Sequence, residues 1–127
     1  MAYVTAIVML ALIEYLYFGA AVARARGRHD VNAPAVAGDE HFERFFRAHQ
    51  NTLEQLVVFI PAMYAAGYYV HELYAAALGV LFLVGRAVYF RRYIADPGGR
   101  GPGMLMTMFA NIGLTVGGLV GAVRAGL

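Results

Sequence analysis

The 127-residue sequence contains no cysteine. It therefore has no disulfide, no thiolate metal site and no cysteine nucleophile, so any thiol chemistry must come from a bound ligand. Lysine is absent as well, and all 10 basic residues are arginines, whose planar guanidinium suits interfacial positions and anion recognition. Charged residues make up only 14% of the chain, whereas 61% of its residues are hydrophobic. This composition is too apolar for an ordinary soluble domain of this size and indicates a bilayer as the solvent.

Four apolar segments of the chain predict membrane helices. We expect a single domain, 1–127, with helices over about 2–26, 42–70, 73–95 and 103–124. The first segment is long enough to cross a hydrocarbon core of roughly 30 Å and too long for a signal-peptide core, so we expect it to remain as the first helix. The second begins outside the hydrocarbon and ends across it. The predicted fold class is all-α and integral membrane, with a bundle of four transmembrane helices.

The connections between these segments constrain how the helices pack. His71 and Glu72 leave room only for a tight turn, so the second and third helices should be antiparallel neighbours. A segment rich in glycine and proline, residues 96–102, ends the third helix. In the fourth helix three glycines are spaced four apart, which predicts close helix packing in lipid; they are Gly113, Gly117 and Gly121.

The arginines are distributed unevenly between the two ends of the bundle. One end carries Arg24, Arg26, Arg28, Arg91, Arg92 and Arg100, whereas the other carries only Arg124. Because basic loops tend to remain in the cytoplasm, both termini should face away from it. We expect a bacterial inner-membrane protein whose functional site faces the cytoplasm.

A polar stripe marks the beginning of the second helix. Its members are spaced three, four and three apart and share one helix face; they are Arg44, Arg47, Asn51 and Glu54. An ionisable residue that faces lipid costs a few kcal/mol or more, so this face should meet protein, a cavity or a polar ligand. In the third helix, Arg86, Tyr89 and Tyr93 also share a face. The four histidines lack metal-ligand spacing, and no metal site is expected.

The polar stripe lies within residues 42–54, FERFFRAHQNTLE, which resemble the signature of the MAPEG family, the membrane-associated proteins in eicosanoid and glutathione metabolism. The resemblance is closest to its microsomal glutathione S-transferases. Residues 84–93, VGRAVYFRRY, are similar to the third-helix motif of that family, and Ala25 and Arg26 match the end of its first helix. The resemblance covers essentially the whole chain. It implies a homotrimer in which glutathione, the expected co-substrate, binds between neighbouring subunits on the cytoplasmic side.

The resemblance also implies roles for individual residues. Glutathione contacts fall on Arg26, Arg47, Asn51, Glu54, Tyr89 and Tyr93, with Arg26 reaching across the subunit boundary. The implied catalytic residues are Arg100 and Tyr93, and a fixed positive charge at Arg100 would favour the thiolate of glutathione. Gln55 stands where several relatives carry tyrosine, which places one glutathione contact in doubt.

Three functions are compatible with this pattern. The first is a membrane glutathione transferase, with possible peroxidase activity, whose thiolate attacks a hydrophobic electrophile or a lipid hydroperoxide in detoxification. The second is a non-catalytic, lipid-binding relative. The third is a small structural subunit of a larger membrane complex. For the leading interpretation the expected partners are glutathione, a hydrophobic small-molecule or lipid substrate, membrane lipids and two further copies of the chain, with no nucleic acid.

Overall fold

Four long helices account for most of the chain in a computed structural model that describes all residues, Met1–Leu127. They are α1 (Ala2–Arg28), α2 (Glu40–Tyr69), α3 (Glu72–Ala95) and α4 (Gly101–Gly126), with a short 3₁₀ helix at Pro97–Gly99. Three of them, α1, α3 and α4, are long and apolar enough to cross a membrane. The charged residues in the first half of α2 lower its hydropathy. The all-helical prediction is confirmed.

Local hydrogen bonds explain where α2 and α3 begin. The Asp39 carboxylate accepts a hydrogen bond from the backbone N–H of Phe42 at 2.9 Å, so α2 starts at Glu40, before the expected position. The same bond lowers the pKa of Asp39 below its ordinary value of 3.8. At the other turn, Nδ1 of His71 accepts from the N–H of Leu73 at 3.0 Å. This cap starts α3 with only two residues between it and the end of α2, and α3 returns beside α2 as predicted.

The main hydrophobic core lies among all four helices. Its most deeply buried members include Val4, Phe59, Met63, Phe82 and Leu114, each with 0% exposure. The rings of Phe59 and Phe82 stack with centroids 3.7 Å apart and fasten α2 to α3. This core occupies the half of the bundle that contains the chain termini, whereas the polar side chains collect in the other half.

The glycine row of α4 packs closely, as its spacing predicts. A Cβ atom added at Gly117 would lie 2.7 Å from the hydroxyl oxygen of Tyr74, and one at Gly121 would lie 2.8 Å from Cβ of Tyr69. The Tyr74 hydroxyl donates a hydrogen bond to the carbonyl of Gly113 at 2.6 Å. Small residues therefore allow α4 to approach α2 and α3 closely at this end.

Candidate functional site

A buried arginine, Arg86 of α3, forms the centre of the polar half of the bundle. Its side chain is 1% exposed. Its Nε donates to Oγ1 of Thr107 at 3.0 Å, and its Nη1 donates to Oδ1 of Asn51 at 2.8 Å and to Oγ1 of Thr52 at 3.2 Å. No carboxylate pairs with it. One guanidinium therefore connects α2, α3 and α4 through neutral oxygen atoms.

Two glycines allow Arg86 to reach α4. A Cβ atom at Gly85 would lie 3.1 Å from the backbone nitrogen of Thr107, and one at Gly103 would lie 2.6 Å from Cα of Tyr89. Any larger residue at these positions would push α3 and α4 apart. The close approach of the two backbones places the Thr107 hydroxyl within hydrogen-bonding distance of the guanidinium.

Arg86 also begins a column of stacked side chains on α3. Its guanidinium carbon lies 4.3 Å from the centre of the Tyr89 ring. The Tyr89 and Tyr93 rings stack with centroids 5.5 Å apart and an angle of 16° between their planes. The prediction that these three residues share one face is confirmed, and the column runs from the buried arginine towards the end of α3.

An open cavity of about 330 Å³ lies beside this arginine, between α2, α3 and α4. We call it the inner cavity; its lining residues are Asn51, Gln55, Val58, Arg86, Met104, Thr107, Met108, Asn111 and Ile112. Its apolar lining residues on α4 are exposed on the side of the helix bundle. The inner cavity therefore combines a polar floor with an apolar rim, which suits a ligand that is mostly apolar.

A second cavity, of about 250 Å³, lies nearer the end of the bundle. We call it the outer cleft; it is lined by Glu40, Glu43, Arg44, Arg47, Tyr93 and Pro97. Arg44 fixes one wall, because it donates to the carbonyl of Ala95 at 3.1 Å and pairs with Glu40 at 2.9 Å. The contact with Ala95 joins the start of α2 to the end of α3. The outer cleft thus brings together two predicted glutathione contacts, Arg47 and Tyr93.

Two other predicted residues lie on the surface near these cavities. Glu54 is exposed on α2, one turn beyond Asn51. Arg100 is exposed at the start of α4, and its Nη1 donates to the carbonyl of Pro97 at 3.0 Å. Pro97 also lines the outer cleft. The position of Arg100 is therefore set by the turn that joins α3 to α4.

Arg26 is the predicted site residue that the single chain places apart. Like Glu54, Tyr89 and Arg100 it lines neither the inner cavity nor the outer cleft, but unlike them it contacts the loop after α1. Its Nη1 donates to the carbonyl of Ala35 at 2.6 Å, and its guanidinium carbon lies 4.8 Å from the centre of the Phe42 ring. Within one subunit, Arg26 holds the loop between α1 and α2 against the start of α2.

Several residues of the inner cavity are absent from the predicted set. Arg86, Thr107 and Asn111 line this cavity, and the sequence prediction gives none of them a role. Thr52, which accepts from Arg86, lies outside the prediction as well. A signal for the α4 residues is present, since Thr107 and Asn111 are four apart in a segment whose other polar side chains are only Thr115 and Arg124. Polar residues on one face of a membrane helix indicate a protein-facing or cavity-facing surface.

The helices and cavities define an integral membrane protein with an arginine-centred polar site among its helices. The model of the MAPEG family matches residues 3–120, and the chain belongs to this family. It is 43% identical to microsomal glutathione S-transferase 2 of Mus musculus over 69% of this chain and 60% of the relative. With the protein of the same name from Bos taurus the identity is 33%, over 94% and 82% of the two chains. Leukotriene C4 synthase of Rattus norvegicus is 34% identical over 95% and 86%.

Proposed function

We propose that this protein is an integral membrane glutathione transferase that converts the thiol of glutathione to the thiolate for attack on hydrophobic acceptors. The observation that carries the proposal is the Arg86–Asn51 contact at the polar floor of a cavity with an apolar rim. Such a cavity suits a reaction between a polar peptide and an apolar molecule. The similarity to a microsomal glutathione S-transferase and to leukotriene C4 synthase supports the same reaction class.

Arg86 has a definite effect on the proposed peptide contact. Because Oδ1 of Asn51 accepts from the guanidinium, the NH₂ group of this amide is directed away from Arg86 and remains available as a donor. A carboxylate of glutathione is a suitable acceptor for that donor. Arg47 in the outer cleft would supply a positively charged contact to a carboxylate, and Glu54 would bind the free amino group of the peptide.

The outer cleft and Arg100 would support the chemical step. A free thiol has a pKa of about 8.5, so it is mostly protonated at neutral pH and needs a nearby positive charge to ionise. Arg100 would supply this charge, and Tyr93, which lines the outer cleft, would donate a hydrogen bond to the sulfur. Addition to an electrophilic carbon forms a C–S bond, and solvent protonates the carbanion or the leaving group.

The same thiolate could reduce a lipid hydroperoxide. Attack on the terminal oxygen breaks the O–O bond, releases the lipid alcohol after protonation and leaves glutathione as its sulfenic acid. A second glutathione then forms the disulfide and releases water. Two glutathione molecules therefore supply the two electrons that the hydroperoxide gains. Conjugation and hydroperoxide reduction would share one thiolate site.

We further propose that the working protein is a homotrimer in the inner membrane of a bacterium, with four spans per subunit and the site on the cytoplasmic side. A neighbouring subunit would supply Arg26, whose contact with the loop after α1 already fixes its side chain. This arrangement would explain why Arg26 lies apart from the other site residues in one chain. Cross-linking in detergent should yield trimers, and cysteines introduced at either terminus should be labelled from the periplasm.

Glutathione titration of the detergent-purified protein tests the proposal directly. Thiolate absorbance in the ultraviolet should rise to saturation, and S-methylglutathione, which cannot ionise, should bind without this signal. Arg100→Ala should abolish the thiolate signal and retain binding, whereas Arg47→Ala and Glu54→Gln should weaken binding. Absence of both binding and thiolate in the wild-type protein would refute a transferase and favour a lipid-binding protein or a structural subunit.

A further inference from the structure

We propose that Asn111 and Gln55 bind a hydroxyl group on the apolar acceptor, at a distance from the carbon that reacts with the thiolate. The inference rests on the proposed transferase function and specifies the acceptor further. It concerns the polar floor of the inner cavity, where two amides meet between α2 and α4. The acceptor class is an apolar chain that carries a reactive carbon near one end and a neutral hydroxyl near the other.

The contacts of Asn111 define which way its amide points. Its Nδ2 donates to the backbone carbonyl of Gln55 at 3.3 Å and to Oε1 of the same residue at 3.0 Å. A backbone carbonyl can only accept, so the NH₂ group must face Gln55 and the amide oxygen must face away. The backbone carbonyl of Gln55 therefore fixes the orientation of the Asn111 side-chain amide.

The amide oxygen of Asn111 has no hydrogen-bond partner. The residue is 6% exposed, and its Oδ1 is buried without a donor. Asn111 lines the inner cavity, whose rim consists of apolar side chains. Since hydrocarbon offers no water to an unpaired polar atom, a ligand that donates a hydrogen bond would gain a contact that lipid cannot supply.

The surroundings favour a neutral hydroxyl over other donors. Arg86 lines the same cavity, and its charge disfavours an ammonium group. Gln55 uses its Oε1 to accept from Asn111, so its own NH₂ group remains available to donate. A hydroxyl both donates and accepts, and it can therefore bind to the oxygen of Asn111 and the nitrogen of Gln55 together.

The position of Asn111 along α4 separates the hydroxyl from the reaction. Arg100, the proposed partner of the sulfur, lies at the N-terminal end of α4. At about 1.5 Å per residue, Asn111 lies about 16 Å further along the helix axis. The sulfur and the hydroxyl each lie about one hydrogen bond, roughly 3 Å, from these groups, so the chain between the hydroxyl and the reactive carbon should span on the order of 10 Å.

A matched pair of electrophiles tests the inference. The probes are an α,β-unsaturated dodecenal and its ω-hydroxy derivative, to which the thiolate adds at the β-carbon while solvent protonates the α-carbon. After correction for the uncatalysed rates, the wild-type protein should favour the hydroxy compound in kcat/KM by about 5- to 10-fold. The ω-hydroxy derivative of hexenal is too short to reach both positions and should show no preference over hexenal.

Variants of α4 identify the residue responsible. Asn111→Leu should remove the preference and retain conjugation of unsubstituted dodecenal, and Asn111→Ala is the second variant if leucine prevents folding. Thr115→Val is the matched control, because Thr115 lies one turn further on and lines a different cavity. 1-Dodecanol should also stabilise the wild-type protein against heat more than dodecane does, and Asn111→Leu should remove this difference.

Three results would overturn the inference. An unchanged preference in Asn111→Leu would mean that this amide does not bind the hydroxyl. A loss of glutathione affinity in the same variant would mean that Asn111 contacts the peptide instead. A changed oligomer size would mean that its oxygen is satisfied by another copy. Failure of the proposed function is distinguishable, because the wild-type protein would then form no thiolate, whereas the comparison of dodecanol with dodecane would still report on Asn111.

Discussion

Replacing Arg86 by lysine would test whether the shape of the guanidinium, as well as its charge, holds the site together. In the wild-type protein Nε donates to Thr107 on α4, whereas Nη1 donates to Asn51 and Thr52 on α2. A lysine ammonium is a single compact charge and cannot occupy both donor positions. Arg86→Lys should therefore keep the positive charge and lose the connection between α2 and α4.

The expected loss of unfolding free energy follows from the hydrogen bonds that each acceptor oxygen loses. Thr52 and Thr107 keep one hydrogen bond each, since their hydroxyls also donate to backbone carbonyls one turn earlier. The side-chain oxygen of Asn51 has no second partner. A partly buried acceptor left without a donor costs about 1–3 kcal/mol, so Arg86→Lys should lower the free energy of unfolding by that amount. The desolvation cost of the buried guanidinium offsets part of what its hydrogen bonds contribute. The loss of stability in Arg86→Lys should therefore be smaller than the sum of three charged hydrogen bonds.

A double-mutant cycle with Asn51→Leu measures the interaction directly. Unfolding of the four proteins in mixed detergent can be followed by far-ultraviolet circular dichroism, and the coupling free energy should be about 1 kcal/mol or more. The same cycle can be repeated with the glutathione dissociation constant, which Arg86→Lys should raise about tenfold, or about 1.4 kcal/mol. Additivity within about 0.5 kcal/mol in both measurements would refute the role assigned to the Arg86–Asn51 contact.

Three further predictions concern the packing and the helix caps. Gly103→Val should lower the unfolding free energy by about 1–3 kcal/mol, because its side chain meets the α3 backbone, whereas Gly101→Ala, which has nothing within 4 Å, should have little effect in the same unfolding assay. Tyr74→Phe should cost about 0.5–1.5 kcal/mol through loss of the hydrogen bond to α4. Asp39→Ala should lower the melting temperature at pH 7, and the difference from wild type should shrink on acidification. The folded-state pKa of Asp39 is lowered by the Phe42 N–H, so its contribution is present above the ordinary value of 3.8 and is lost as pH falls through the folded value.

Much of the fold follows from patterns within single segments. Because the hydrocarbon core of a bilayer has a known thickness, the length of an apolar segment predicts a membrane helix. Glycine and proline mark the break after α3. Spacings of three and four residues define helix faces, which is why the sequence predicts that Arg86, Tyr89 and Tyr93 share one face, whereas their stacking is seen only in the structure. The family resemblance rests on the same local runs, and the family match over residues 3–120 confirms it.

The tertiary structure decided which helix faces meet. Arg86 lies 35 residues from Asn51 and 21 from Thr107 along the chain, and Asn111 lies 56 from Gln55. Spacing within one helix carries no information about these pairs, because they depend on how far two helices approach and rotate. That approach is set by glycines whose missing side chains bring α4 against α3. The sequence by itself therefore determined the helices and their polar faces, whereas packing alone turned those faces into a buried arginine network beside a cavity.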